Sequence, residues 1–102
     1  MAKAYLIDQN IQLADSNVDW SRGDVFYLDT AVNQSFAFTN ARSGRTILII
    51  VRNTSASTRT MTFPGVLEND LFDGTIAAGR EAVYTLVSSN NKIYISEVTD
   101  IN

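Results

Sequence analysis

The stretch "RTILIIVRNTSASTRTMTFPGV", Arg45–Val66, decides how this chain folds. Ile47 to Val51 are five consecutive apolar residues, mostly β-branched, and they suit a pleated strand rather than a helix. Such a run is far shorter than the roughly 20 residues that a membrane-spanning helix needs. It also ignores the in-out alternation of a half-wet strand. The strand is therefore expected at the centre of a sheet, with another sheet over one face and a loop or neighbouring subunit over the other. "NTSAST" (53–58) holds no large apolar residue and reads as a hairpin loop in which Asn and Ser bond nearby backbone. Beyond it alternation resumes, so Met61 and Phe63 are expected to face inward while Thr60 and Thr62 face water. Pro64 cannot donate to a ladder, and Pro-Gly fits the central positions of a type II turn, so "FPGV" ends the strand.

Working outward, "DVFYLDT" (24–30), "QSFAFTN" (34–40), "EAVYTLV" (81–87) and "KIYISEV" (92–98) are equally rich in β-branched and aromatic residues. With 45–53 and 58–64 they make six strands, divided by Gly, Asn, Ser and Asp clusters. Phe36 and Phe38 share an inward face. "SSNN" (88–91) reads as a tight hairpin. The segment 66–80, "VLENDLFDGTIAAGR", has no clear period and reads as a long connection, with Leu71 and Phe72 tucked beneath it and a turn at Asp73-Gly74. The expected fold is all-β, a small antiparallel β-sandwich over 17–102. Residues 1–16 lack turn punctuation and read as an N-terminal arm or edge strand that orders against a partner. Tyr5, Leu6, Ile7, Ile11 and Leu13 are its candidate partner contacts.

With 102 residues and a net charge of −3, the chain is one mildly acidic domain. Its six Arg and two Lys are scattered, which argues against a nucleic-acid backbone as partner. No export signal or membrane span is visible. The absence of His and Cys removes imidazole bases, Ser-His-Asp and Cys-His nucleophiles, disulfides and the usual zinc, copper or haem ligand sets. A carboxylate pair for sugar hydrolysis remains formally open, but no enzyme activity and no cofactor are expected. Glu68, Asp70 and Asp73 offer oxygen ligands without the spacing of a calcium loop, so a solvated turn is favoured. Arg22-Gly23-Asp24 is the integrin-binding tripeptide, yet it runs straight into a strand and reads as a turn. Asn33-Gln34-Ser35 and Asn53-Thr54-Ser55 match the glycosylation pattern by accident. Trp20, Tyr27, Tyr84 and Tyr94 are either a sugar platform or, as is commoner for aromatics in strands, core and subunit contacts.

Taken in order, "FAFTN" (36–40), "VRNTS" (51–55), "RTMTFPG" (59–65), "AAGREAVYTLVS" (77–88) and a last strand bearing Tyr94 resemble a recurring pattern in structural proteins of tailed bacteriophages. The resemblance runs from Asn17 to Val98. It implies a jelly-roll-like β-sandwich of the kind found in capsid decoration proteins, head fibres and tail fibres. It implies a homo-oligomer, with a trimer favoured, docked on other virion proteins such as the major capsid protein. The location implied is the virion, after synthesis in the host cytoplasm. The alternative is a receptor- or carbohydrate-binding fibre module, from which this chain departs in having "VLENDLFDG" after the proline turn.

Overall fold

The computed structural model describes residues 11–102, in which ten strands follow one another with no α-helix among the described residues. They are β1 (Ile11–Gln12), β2 (Asn17–Asp19), β3 (Val25–Thr30), β4 (Gln34–Ser35), β5 (Ala37–Thr39), β6 (Thr46–Asn53), β7 (Arg59–Thr62), β8 (Thr75–Ile76), β9 (Glu81–Ser89) and β10 (Lys92–Ile101). A 3₁₀ turn, Trp20–Arg22, links β2 to β3. The principal sheet has the order β1-β3-β6-β9-β10, and two smaller sheets are β2-β5 and β4-β7-β8. The apolar run of β6 is central, as its composition predicts. Ile47, Ile49 and Val51 are buried, whereas Leu48 and Ile50 point to the opposite face and are only half-buried.

The expected antiparallel ladder forms only in part. β1 with β3, β3 with β6, β2 with β5 and β4 with β7 all pair in parallel. Only β6 with β9, β9 with β10 and β7 with β8 are antiparallel. The connections explain why. Parallel neighbours cannot be joined by a tight turn and need a crossover, usually a helix. Here β4 and β5, which pair in the smaller sheets, make the crossover from β3 to β6. The first half of the chain thus winds as a spiral between the principal sheet and the smaller ones, and an antiparallel hairpin completes it.

The same winding corrects the reading of "NTSAST". β6 and β7 belong to different sheets, so residues 53–58 form a corner between sheets and not a hairpin loop. Asn53 builds that corner from within the protein. Fully buried, its Nδ2 donates to the carbonyls of Ser57 and Ile76 at 2.8 Å, while its Oδ1 accepts from the Ser55 amide at 2.9 Å and hydroxyl at 2.7 Å. The amide side chain does the work of missing backbone partners, as Asx turns do.

Other local readings hold. The Val66 amide closes on the Phe63 carbonyl at 3.1 Å around Gly65, whose φ of 79° suits the third position of a type II turn. Asn90 and Asn91, at φ 53° and 64°, form the two-residue link between β9 and β10 with the left-handed backbone that twisted hairpins require. Between Gly65 and Glu81 the chain contributes more than a connection: Ile76 of β8 is fully buried. Phe72 packs on the core as expected, but Leu71 is 89% exposed.

The core lies between the principal sheet and the smaller sheets. Phe63, from the end of β7, stacks on Phe36 at 4.8 Å and tilts against Tyr84 of β9 at 4.8 Å. Trp20 is fully buried and meets Phe38 edge-on at 6.2 Å. Edge-to-face and offset aromatic contacts at these separations contribute about 0.5–1.5 kcal/mol each beyond area burial.

Candidate interaction surface

Tyr5, Leu6 and Ile7, the first three expected contacts, lie outside the described residues. The other two belong to the protein's own fold. Ile11 sits in β1, paired in parallel with Phe26, and packs against the core; a Cβ added at Gly23 would approach its Cγ1 to 3.2 Å. Leu13 is 6% exposed, and its amide donates to the Tyr27 carbonyl at 2.7 Å. Leu13 is thus a core residue and not a partner contact. An alternation too short to read, two strand residues followed by a turn, hid this from the sequence.

The remaining motifs resolve into local structure. Asp24 of the Arg22-Gly23-Asp24 tripeptide is paired with Arg45 at 2.8 Å, and the same guanidinium nitrogen donates to the carbonyls of Trp20 and Gly23. Asp19 caps the 3₁₀ turn by accepting from the Ser21 amide and hydroxyl, and also from Asn40 Nδ2 at 2.8 Å. Bonds from Asn40 and Ser21 hold its carboxyl below the ordinary range. Asp73 accepts from the Thr75 amide, and among the described residues no three acidic side chains converge as metal ligands would. Glu97 accepts from the amides of Asp73 and Gly74 at 3.0 and 3.1 Å, anchoring that loop to β10. Between loop and strand is a shallow cleft lined by Asn69, Leu71, Phe72, Ser96, Glu97 and Thr99.

The four aromatics separate by role. Trp20 and Tyr84 are fully buried and cannot meet a ligand. Burial, followed by the carboxylates of Glu97, Asp73 and Asp100, pushes the Tyr84 phenol up. Tyr27 is half-buried and Tyr94 is 45% exposed, both on the outer face of the principal sheet.

That outer face is the largest feature the sequence reading touched only in part. Register aligns Tyr27, Ile50, Val83 and Val98 in one row across four strands. Val25, Leu48, Thr85 and Ser96 form the next row, and Thr46, Val87 and Tyr94 a third. Asp29, Arg52 and Glu81 close one end, with Arg52 and Glu81 3.5 Å apart and the Tyr27 hydroxyl donating to Glu81 at 3.4 Å. Burial, then the Asp29 and Glu81 carboxylates, raise the Tyr27 phenol as well. A sheet wet on one side normally alternates apolar-in with polar-out. The three middle strands of this sheet carry apolar side chains on both sides. Chemically the arrangement offers a largely apolar contact surface with charges at one end. In comparisons with protein-family models, curated proteins and solved structures, the chain has no match.

Proposed function

We propose that the protein is a non-enzymatic structural component of a bacteriophage virion, a capsid auxiliary or decoration protein or a head-fibre protein, which assembles as a homo-oligomer on the particle surface. The observation that carries this reading is the outer face of the principal sheet, where apolar rows end in exposed Val87, Tyr94 and Val98. Surface of that kind is normally covered by a partner. The partner class comes from the ordered resemblance of Asn17 to Val98 to virion modules, and a sandwich-like β-domain is a suitable scaffold for it. Residues 1–10, with Tyr5, Leu6 and Ile7, supply part of the attachment. A second reading, a glycan-binding fibre module, draws on Tyr94, whose ring is exposed on the same face.

The test mixes full-length protein, and protein lacking residues 1–10, with phage particles devoid of it. The full-length protein should sediment with the particles, and the shortened one should bind at least tenfold more weakly. Failure of the full-length protein to bind any particle, together with specific retention on a glycan array, would replace the first reading by the second.

A further inference from the structure

We propose that the outer face of the principal sheet is a contact between two copies of this chain, packed sheet on sheet about a two-fold axis that lies in the interface and runs across the strands. The inference concerns self-association and does not rest on the virion reading. Tyr27, Leu48, Ile50 and Val83 occupy the middle of the face, and none of them packs against the protein's own core. Val98, 61% exposed, and Tyr94 extend the face to the β10 edge.

Charge points to a second copy, and the extent of the face to a reversible contact. The fourteen positions of the four side-chain rows, about 4.8 Å apart across strands and about 6.8 Å apart along them, outline a face of about 450 Å². Two such faces in contact bury about 900 Å² in total, the size of a weak, reversible interface. The charges then choose the orientation. One end of the face carries Asp29, Arg52 and Glu81, and the other end carries exposed Lys92. β6 is the middle strand of five, so an axis along the strands would set Arg52 over the partner's Arg52. An axis across the strands instead turns the Lys92 end toward the partner's acidic end and lays the Tyr27 row on the row of the partner's Leu48. Isologous contacts of this kind are self-complementary and close at two copies.

Sedimentation of the full-length protein across micromolar concentrations tests this, with thermal melts as a check of folding. Twice the chain mass is expected. Val83→Lys places a charge mid-face and should weaken association at least a hundredfold. Val98→Lys, at a position already mostly exposed and so tolerant of charge, should weaken it at least tenfold with the fold intact. A monomer at every concentration, a higher oligomer indifferent to both substitutions, or a dimer lost only on removal of residues 1–10 would each overturn the proposal.

Discussion

Two buried polar side chains, Asn53 and the phenol of Tyr84, tie stability to specific bonds and to pH. Asn53 is buried at a corner where three strands end, and its amide satisfies the carbonyls of Ser57 and Ile76 and the amide of Ser55 at once. Replacing it by Leu keeps the volume but strands the buried Ile76 carbonyl, and a buried unsatisfied group costs about 1–3 kcal/mol. Urea melts of Asn53→Leu should therefore show a loss of about 1–3 kcal/mol, whereas a smaller loss would mean that water replaces the amide. Tyr84 couples stability to alkaline pH. Its phenol is raised above the ordinary value of 10.0 by burial and by the carboxylates around it. The unfolded chain ionises first, so the folded form binds more protons above pH 10 and stability falls as pH rises from the unfolded value toward the folded one. Tyr84→Phe removes this coupling. The variant should lose less stability than the wild type between pH 10 and pH 12, and parallel decline of the two proteins would assign the alkaline coupling elsewhere.

At the level of elements, β1 shows how a short strand can matter more than its length suggests. Ile11 lies against Gly23 and Leu13 is buried, so residues 11–16, expected to form part of an arm, belong to the packed domain. Compared with a chain lacking residues 1–10, one lacking 1–13 should be less stable in urea by about 2–5 kcal/mol, the usual cost of a missing buried Leu. Equal stability of the two would show that β1 is dispensable. The long strands were legible because composition and alternation coincide in them: β6, β9 and β10 lie where their β-branched runs lie, and Met61 and Phe63 face inward with Thr62 outside. The turns at Gly65 and at Asn90-Asn91 were legible through residues that tolerate positive φ. β1, β2 and β8 were not, because two or three residues cannot display a period. Parallel pairing was hidden for a different reason: a strand's own sequence says which face is wet but not which neighbour it joins. The outer face was foreshadowed by Leu48 and Ile50 alone, since rows across strands exist only once the register is set.

For the whole molecule, the order of strands in the principal sheet, β1-β3-β6-β9-β10, is also their order along the chain. The intervening strands lie in the smaller sheets and never separate two members of the principal one. A polypeptide emerging from the ribosome can therefore add each new strand beside the one before it, always at the free edge, without prising apart a ladder already made. Many β topologies lack this property, because a late strand must slip between two early ones and the sheet waits, half-paired, for it to arrive. Here the growing edge moves steadily from β1 toward β10. When it gets there, β10 is shielded rather than left open: Leu67 bridges to it beside Ile93 and Ile95, Glu97 draws the 73–74 loop over it, and the pairing with β9 shifts register beyond Val98. Irregular, covered edges resist the addition of stray strands. Growth by accretion thus carries its own stop, which keeps a sheet built to be extended in one direction from being extended without end.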